Sequence, residues 1–359
     1  MSSPRLHRVG GGTRATIAAM RDDDRFNEFI ASLGGFHRAW LAYLGLELGL
    51  FARLDAAGER GLTAAELADG TATRPEPVDV WAWAAEAHGL VDAVDGRLVL
   101  DPAVAAILLD HARPEYLGGQ FVHTVVASMD WDGLTGFFRT GVPRRDRPDR
   151  YRTAIERLTV QDIAVFFQEV LASVPQLVAD LADGGRVLDV HCGGGRWLIA
   201  MARRFRGVHG VGVEFEADSV ARARANVDAE GLADRITIEH GDVTAAGHAG
   251  EFDLAYFQYA LHQLPDPPAS LRAAWAALRP DGRLLVLDWP LPSTEEEQRS
   301  RHGELIAGMQ LDEVYSGTRL VTREQFLAWF AEAGLPEPRV LELPSGASAF
   351  LAEHAVATR

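Results

Sequence analysis

A glycine-rich turn between a buried strand and a helix most constrains the fold of this chain. The segment at 186–205 reads RVLDVHCGGGRWLIAMARRF: an apolar run ends in Asp189, three glycines follow, and a helix is predicted to begin near Arg196. Glycines let the backbone approach a ligand closely, and the first N–H groups of a helix attract its polar groups. The segment therefore predicts a site for a nucleotide-like ligand at the carboxyl end of a strand.

Strand-like and helix-like segments alternate around this turn and predict an α/β fold. Apolar runs recur from about residue 176 onward, separated by segments with helical periodicity. Such alternation favours a mainly parallel sheet with helices on both faces. The predicted strands are Arg186–Val190, Val208–Val213, Ile236–Glu239, Leu254–Phe257 and Leu284–Leu287.

Two classes of cofactor-binding turn compete for the glycine segment. A dinucleotide fold uses G-x-G-x-x-G/A, in which a third small residue lets the helix and strand pack closely. Leu198 occupies that third position here, which is a poor match. The pattern D-x-x-x-G-x-G, from Asp189 to Gly195, matches instead. It resembles the first motif of the class I S-adenosylmethionine-dependent methyltransferases.

This resemblance implies a Rossmann-like methyltransferase core with a mainly parallel seven-stranded sheet, and S-adenosyl-L-methionine as cofactor. In that family the acidic residue at the strand end, here Asp189, engages the cofactor's amino group. The glycines, here Gly193 and Gly195, admit its methionine moiety. A further glycine of the family pattern is replaced by His191, which is expected either to contact the cofactor or to crowd it.

Later segments resemble the same family in order and spacing. The second strand ends in Glu214, 25 residues after Asp189, where a carboxylate can accept hydrogen bonds from both ribose hydroxyls. The fourth strand ends at Gln258, which is expected on the cofactor side. The text LRPDGRLLVLDW at 278–289 resembles the family's Pro-Asp-Gly turn and fifth strand.

The segment HGDV at 240–243 resembles the family's adenine contact. The resemblance implies that Asp242 accepts a hydrogen bond from the adenine amino group, while Val243 or Phe215 covers the face of the ring. Each of these segments is weak alone, but together and in this order they predict a complete cofactor site.

A helix–helix–hairpin unit is predicted near the start of the chain. Thr63 and Glu66 form a capping box that opens a short helix, and a second helix is predicted over residues 76–88. Asp95-Gly96, between two apolar runs, is a strong hairpin signal. This is the order of a winged helix. Because the second helix carries no arginine, DNA readout is disfavoured, and a packing or dimerisation module is the better interpretation.

Two helical segments of this front region carry apolar stripes, which predict buried faces. The stripes are Phe29, Leu33, Phe36, Trp40, Tyr43, Leu44 and Leu48 in the first segment and Val80, Trp83 and Ala84 in the second.

The wider chain resembles the small-molecule O-methyltransferases that have an N-terminal winged-helix dimerisation domain. This likeness extends to LTGFFRTGVP at 134–143 and to GTRLVTREQFLAWFAEAGL at 317–335. It implies a homodimer and three segments. They are a helical, winged-helix-like dimerisation domain at 1–110, a helical connector roofing the substrate pocket at 111–175, and a catalytic domain that binds the cofactor at 176–359.

His262 is the candidate catalytic base. It follows the fourth strand in the text YALHQ, and in plant-type O-methyltransferases a histidine at the matching place in W-x-L-H-D is the general base. Histidine suits this role because its ordinary pKa lies near neutral pH. Many methyltransferases with other substrates carry a structural histidine there. Both roles therefore stay open, as do C- and N-methylation.

Five residues are candidates for contacts with the methyl acceptor. Three lie on helices expected to roof the site, and two lie at or after the fifth strand, where open sheets place ligands. For each of the five, packing in the core is the alternative to contact with the acceptor. The acidic residues Asp288, Glu304 and Asp312 lie close in the sequence to the last two. The five are His123, Met129, Trp131, Trp289 and Met309.

Composition and charge exclude several other functions. The net charge of −16 gives no general attraction for nucleic acid or anionic membrane. All 35 basic residues are arginine, which excludes a Schiff-base lysine and a P-loop lysine. A single cysteine, Cys192, excludes an internal disulfide and a multi-cysteine metal site, and no metal is predicted. No secretory signal or run of about 18 apolar residues is found, so a cytoplasmic location is expected.

The sequence thus predicts S-adenosylmethionine-dependent methyl transfer to a small organic acceptor, most simply the oxygen of a phenol or other hydroxyl, in specialised metabolism. One alternative is a non-catalytic or regulatory protein that keeps the fold and binds the cofactor or its demethylated product, and His191 is the feature that favours it. A second alternative, an NAD-dependent dehydrogenase, is opposed by Leu198.

Overall fold

The computed structural model describes residues 22–144 and 146–354, which fall into two compact units. The first unit combines the described residues up to Leu109 with Pro292–Glu304. The second combines Asp110–Leu291 with the described residues from Leu305 onward.

The first unit is mostly helical and contains a two-stranded sheet. The rings of Phe51 and Trp81 pack edge to face in its interior, with centroids 5.5 Å apart. Its helices are α1 (Asp22–Glu47), α2 (Leu50–Ala57), α3 (Ala64–Gly70), α4 (Pro75–Ala87), α5 (Pro102–Leu109) and α15 (Glu295–Gln298), and its strands are β1 (Asp92–Val94) and β2 (Arg97–Val99).

The predicted helix–helix–hairpin order is present in this unit. Thr63 Oγ1 accepts a hydrogen bond from the Glu66 N–H at 3.2 Å, and the Glu66 carboxylate accepts one from the Thr63 N–H at 2.9 Å. The capping box that opens α3 is thereby confirmed. Asp95 and Gly96 have φ values of +51° and +72°, as a tight turn between two antiparallel strands requires.

The predicted burial of the two apolar stripes is wrong for the single chain. The face that α4 buries carries Trp81, whose indole N–H donates to the Leu41 carbonyl oxygen at 3.0 Å. That contact turns the predicted stripe of α4 outward. The exposed members of the two stripes are Phe29, Leu33, Phe36 and Leu44 in α1, Leu48 directly after α1, and Val80 and Trp83 in α4.

Helices surround the sheet of the second unit. A π-helical turn at Phe166–Val170 joins two of them. They are α6 (Gly118–Ser128), α7 (Leu134–Thr140), α8 (Asp149–Leu158), α9 (Val160–Val165), α10 (Leu171–Ser173), α11 (Pro175–Ala182), α12 (Arg196–Arg204), α13 (Ala217–Ala229), α14 (Pro267–Ala277), most of α16 (Arg301–Ser316) and α17 (Arg323–Glu332).

The sheet of the second unit has seven strands in the order β5-β4-β3-β6-β7-β9-β8. Neighbouring strands from β5 to β7 run parallel, and β9 pairs antiparallel with both β7 and β8. The predicted α/β class is confirmed, and each of the five predicted strands is present. The strands are β3 (Gly185–Val190), β4 (Val208–Glu214), β5 (Ile236–His240), β6 (Phe252–Gln258), β7 (Leu278–Asp288), β8 (Arg339–Glu342) and β9 (Ser348–Glu353).

The Pro-Asp-Gly segment lies inside β7 rather than before it. Leu278 already pairs with Phe252, and the ladder resumes where Arg283 pairs with Leu254. The residues between form an irregularity in the strand, because more residues of β7 than of β6 separate the two pairs.

Both faces of this sheet are buried. Successive side chains of a strand point to opposite faces, and in β6 Leu254 and Tyr256 join one apolar cluster while Ala255 and Phe257 join another. Leu198 of α12 belongs to the first cluster. Helices therefore cover both faces, as the sequence predicts for a mainly parallel sheet.

The strand order reverses beside β3. From β3 the chain continues outward to β4 and β5 and then returns to β6 on the other side of β3. Open α/β sheets bind ligands at such a reversal, beyond the carboxyl ends of the strands. The glycine turn follows β3 at this point.

Within the two described ranges, no single helix is long and apolar enough to cross a bilayer. Two helical segments, Asp149–Ser173 and Pro175–Ala182, have the required length and composition only when taken together, and a bend of 103° separates them.

Candidate functional site

Three adjoining cavities lie in the second unit at the carboxyl ends of the parallel strands. Their volumes are about 730, 280 and 110 Å³, and they are called here the large, middle and small cavity. Gln263 lines all three, whereas His191 and Gly193 line the middle and small ones. Residues around the large cavity include Phe137, Pro143, Phe215, His262, Val314 and Thr318.

The glycine turn after β3 uses left-handed backbone conformations. His191, Gly193 and Gly195 have φ values of +60°, +52° and +70°. A Cβ added at Gly195 would meet Ala223 of α13 at 3.5 Å, so this glycine serves the packing of two helices and lies outside the three cavities. A Cβ added at Gly193 would meet no atom within 4 Å. The turn therefore leaves room for a ligand at Gly193.

Glu214 ends β4 and is almost completely buried beside this turn. Its carboxylate accepts hydrogen bonds from the backbone N–H groups of Gly193 and Glu216, each at 2.9 Å. One carboxylate oxygen also lies 3.0 Å from Nδ1 of His191. Burial alone would raise the pKa of Glu214, but His191 and the two N–H donors outweigh it and lower that pKa.

Asp189 is buried near the end of β3 and lines the small cavity. Burial, together with the negative charge of Glu214, raises the pKa of Asp189 to about 8, although His191 acts in the opposite direction. A cationic ligand group placed beside Asp189 would favour its ionised form. This position suits the predicted role of Asp189 toward an amino group.

The residues predicted for adenine lie in different surroundings. Phe215 is 41% exposed and lines the large and middle cavities. Asp242 uses its carboxylate to accept hydrogen bonds from the N–H and the hydroxyl of Thr244, at 2.8 and 2.7 Å. Val243 packs in the apolar core. Of these three, only Phe215 lines any of the three cavities, because Asp242 caps its own turn and Val243 packs in the core.

His262 lies in a short 3₁₀ turn after β6 and borders the large cavity. Its Nδ1 atom is 2.8 Å from Oδ2 of Asp288, which ends β7. Its Nε2 atom lies 4.0 Å from Oε2 of Glu313 on α16, and Nε2 is buried without a hydrogen-bond partner. The imidazole therefore stands between two carboxyl groups, with one ring nitrogen held and the other available.

The electrostatics of this group favour an imidazole that can gain a proton. Burial opposes the charge and lowers the pKa of His262, but the charge and hydrogen bond of Asp288 and the charge of Glu313 outweigh it, so its pKa is raised. When Nδ1–H donates to Asp288, neutral His262 presents the lone pair of Nε2. An imidazole oriented in this way can act as a general base.

Gln258 and Tyr259 lie at the end of β6 and directly after it, a few positions before His262. Tyr259 has a φ of +51°, which is uncommon for a residue with a side chain, and its hydroxyl lies 3.4 Å from Oε1 of Glu313. Gln258 lines the small cavity and donates from Nε2 to the Thr159 carbonyl oxygen at 3.3 Å. The Oε1 atom of Gln258 is buried without a hydrogen-bond partner, which leaves an acceptor for a ligand at this end of the cleft.

The five residues predicted for the methyl acceptor do not line the large cavity. The indole N–H of Trp131 donates to Asp312 Oδ1 at 3.1 Å, and His123 Nε2 lies 3.9 Å from Asp312 Oδ2. Both side chains thus contact a buried carboxylate of α16, where burial lowers the pKa of His123 to about 4. Met129 directly follows α6.

The other two predicted acceptor contacts have structural partners as well. The indole N–H of Trp289 donates to Asp162 Oδ1 at 2.8 Å, and Met309 packs against a cluster that contains Tyr259 and Ile306. The residues that line the large cavity with His262 or lie beside its ring could not be singled out from the sequence, because nothing in their local pattern separates them from other helix and loop positions. They are Phe137, Glu313, Val314 and Thr318.

Comparisons with known proteins connect this site to a family. A family model described as "Methyltransferase domain" matches residues 164–336. The aclacinomycin 10-hydroxylase RdmB of Streptomyces purpurascens is 30% identical over 296 residues, which cover 76% of this chain and 75% of that protein. The ubiquinone biosynthesis O-methyltransferase of Psychrobacter arcticus is 37% identical over 101 residues, covering 28% of this chain and 38% of that protein.

The fold has solved counterparts. The structure of PigF with SAH superposes with a TM-score of 0.70 at 21% identity, covering 93% of this chain and 99% of that one. The chain spans less than half of the length of several curated relatives that it matches. The fold and the glycine turn define a Rossmann-like methyltransferase core, and the match with RdmB extends over three quarters of both chains. The chain belongs to the class I S-adenosylmethionine-dependent methyltransferase family.

Proposed function

We propose that this protein transfers the methyl group of S-adenosylmethionine to a hydroxyl oxygen of a small organic acceptor. The observation that carries the proposal is the His262–Asp288 pair, which combines a fixed Nδ1 with an available Nε2 at the wall of the large cavity. The neighbouring middle and small cavities, which contain the glycine turn, supply a separate space for the cofactor.

The residues in and around the glycine turn fit this cofactor. Glu214 offers a carboxylate for the ribose hydroxyls, Gly193 leaves open space, and Asp189 and Gln258 offer groups for its amino acid end. When bound, the cofactor supplies an electrophilic methyl group on a positively charged sulfur. The protein must then hold the acceptor oxygen in line with that methyl group and keep water away.

His262 takes the acceptor's proton in this mechanism. Nε2 accepts the proton of the hydroxyl as the oxygen becomes the nucleophile, and Asp288 stabilises the imidazolium through Nδ1–H. Glu313, 4.0 Å from Nε2, adds a second negative charge that favours the protonated ring. The proton then leaves to solvent through the large cavity.

The large cavity indicates the class of acceptor. Its walls combine the apolar residues Phe137, Leu264 and Val314 with Thr318 and Arg319. A volume of about 730 Å³ lies within the range of ordinary small-molecule sites. We infer an acceptor with an apolar or aromatic body and a hydroxyl group.

Incubation with methyl-labelled S-adenosylmethionine and a library of phenols, alcohols, amines and enols tests the proposal. The expected product gains one labelled CH₂ unit on oxygen, and His262→Gln abolishes most of this gain. A product that instead gains one oxygen atom would show the reaction named in the hydroxylase relative. Tight cofactor binding without transfer to any library member would favour the non-catalytic alternative.

We also propose that the protein is a homodimer formed through its first unit. Large apolar side chains of α1 and α4 are exposed to water, which is unfavourable, and a second copy of the chain can cover them. A second copy of the chain is the partner that the family resemblance implies for this surface. The cytoplasmic location stays a prediction. The exposed side chains are Phe26, Phe29, Ile30, Leu33 and Phe36 in α1, and Val80 and Trp83 in α4.

A further inference from the structure

The side chain of His191 already occupies two contacts that the cofactor needs. Its ring lies parallel to that of Phe215, with an interplanar angle of 5° and centroids 4.8 Å apart. Its Nδ1 atom lies 3.0 Å from a carboxylate oxygen of Glu214. An aromatic ring stacked on Phe215 and a hydrogen bond to Glu214 are the interactions expected of the cofactor's adenine and ribose.

We propose that His191 competes with the adenosine half of the cofactor, so that this histidine must leave Glu214 and Phe215 before the nucleoside can bind. The inference rests on the proposed function, since it presumes that Glu214 receives the ribose. It assigns His191 a role as an internal gate, distinct from that of a permanent cofactor contact.

The backbone supports a role for this side chain beyond packing. His191 has a φ of +60°, a conformation that glycine adopts freely and that a side chain makes unfavourable. Glycine at this position would relieve that cost, and glycine is what the methyltransferase pattern usually has there. The side chain of His191 thus makes the backbone conformation unfavourable, and its contacts with Glu214 and Phe215 offset this cost.

The groups around His191 make the gate sensitive to pH. Burial lowers the pKa of His191, but the hydrogen bond and charge of Glu214, a hydrogen bond with Gln263 and the charge of Glu216 outweigh it and raise that pKa. Asp189 lies close enough to interact with the ring. The other charged or titratable residues near the ring, or lining the same cavities, are Cys192, Arg147, Tyr151, Arg152, Glu156, Arg196, Arg222, Tyr259 and Glu313.

The sign of the effect follows from this raised pKa. If His191 leaves Glu214 when the cofactor binds, its pKa falls toward the ordinary value of about 6.5, so binding releases a proton. Cofactor affinity should then increase with pH between that ordinary value and the raised one. At pH values below both pKa values of His191, or above both, this histidine should no longer make the cofactor affinity depend on pH.

Calorimetric titration of the full chain with S-adenosylhomocysteine tests the gate. His191→Gly is expected to bind about tenfold more tightly than the wild type near neutral pH, because the competing charged hydrogen bond is gone. The wild type should bind more tightly as the pH rises from about 6 to 9. The variant should show a weaker dependence, because proton loss from Asp189 contributes in both proteins and proton loss from His191 contributes only in the wild type. Titrations in two buffers of different ionisation enthalpy should detect more protons released per cofactor bound in the wild type than in the variant.

Two further variants keep the test decisive. His191→Asn retains a side chain that tolerates a positive φ but cannot carry charge, so it should also lose the part of the pH dependence that His191 contributes. His248→Ala removes a histidine that contacts the carboxylates of Glu239 and Glu251 outside the three cavities, and it should bind as the wild type does.

The possible results separate the gate from the proposed function. Weaker binding by both His191 variants would overturn the gate and make His191 a cofactor contact. Equal affinity and an equal pH profile in wild type and variants would overturn the gate while leaving the proposed function intact. Absence of binding in every protein, including His191→Gly, would overturn both.

Discussion

The imidazole of His262 is hydrogen-bonded through Nδ1 to the carboxylate of Asp288 at 2.8 Å, and both side chains are buried. The two residues come from different elements, the turn after β6 and the end of β7, which the sheet places side by side. The rigid pairing of these strands therefore fixes the orientation of the ring. A base on a fixed scaffold can be positioned more accurately than one on a free loop.

Replacing His262 tests its role as the base. His262→Gln keeps a polar side chain but cannot take a proton near neutral pH, so kcat should fall by about 10²- to 10⁴-fold. The Kd for S-adenosylhomocysteine should not change, because His262 is absent from the walls of the middle and small cavities. Steady-state kinetics with a proven acceptor and calorimetry measure the two quantities. Unchanged kcat would assign His262 a structural role.

Asp288→Asn should change the pH dependence of the same reaction. The base must be neutral before it accepts a proton, so activity should increase with pH through the raised pKa of His262. Without the charge of Asp288 this pKa falls, and the acidic limb of kcat should move to lower pH. The maximal kcat should also fall, by about tenfold or more, because the hydrogen bond that orients the ring is altered. A limb that stays in place would show that another group controls it.

The grouping of the predicted cofactor residues at one edge of the sheet could be predicted from the sequence, because it follows from their positions in the chain. Asp189, Gly193 and Glu214 lie at or just after strand ends, and parallel strands bring those ends to one edge of the sheet. Asp242 also follows a strand, but its carboxylate caps Thr244 instead. Local hydrogen bonding of this kind has no signature in the spacing of motifs.

The acceptor side could not be predicted in the same way. Trp131 and His123 both contact the carboxylate of Asp312, which is about 180 residues away in the sequence. Such long-range polar contacts depend on the tertiary fold. Glu313, the neighbour of Asp312, contacts His262 instead, because adjacent residues of a helix point in different directions. The burial predicted for the stripe of α1 is wrong for the single chain, because an apolar face predicts burial but does not say whether the same chain or a second copy covers it.

Glu214→Gln tests the ribose contact. The amide keeps the shape of the side chain but loses the negative charge that strengthens hydrogen bonds to hydroxyl groups, so the Kd for S-adenosylhomocysteine should rise by about 10- to 100-fold. Glu251→Gln is the matched control, since that carboxylate pairs with Arg186 and His248 away from the cavities. Calorimetry on both variants gives the comparison. An unchanged Kd for Glu214→Gln would remove this carboxylate from the cofactor site.

Asp162→Asn should stabilise the protein at alkaline pH. Asp162 is buried and accepts from the Trp289 indole N–H at 2.8 Å, and burial, aided by the charge of Asp288, raises the pKa of Asp162 from 3.8 to about 7 against the effect of that hydrogen bond. The folded state thus holds a proton that the unfolded state has lost between these values, so stability falls as the pH rises through this window. Asparagine removes that dependence and keeps an acceptor for Trp289.

Thermal unfolding at several pH values measures this effect. The Tm of Asp162→Asn should match that of the wild type near pH 4 and exceed it by about 5 °C near pH 8.5. Asp281→Asn, at an exposed position of β7, should show no such difference. A gap that does not grow with pH would mean that the carboxyl of Asp162 does not titrate in this window.

The apolar stripe of α1 gives the last prediction, on assembly. Phe29 and Leu33 are 74% and 64% exposed in the single chain, and burial of each such side chain is worth about 1.5–3 kcal/mol. Phe29→Asp combined with Leu33→Asp should therefore convert a dimer into a monomer in analytical ultracentrifugation without changing the helical circular dichroism. Phe138→Asp, which alters a 73% exposed phenylalanine of the second unit, should remain dimeric. A monomeric wild type, or a dimer that survives the α1 changes, would show that this face does not pair two copies.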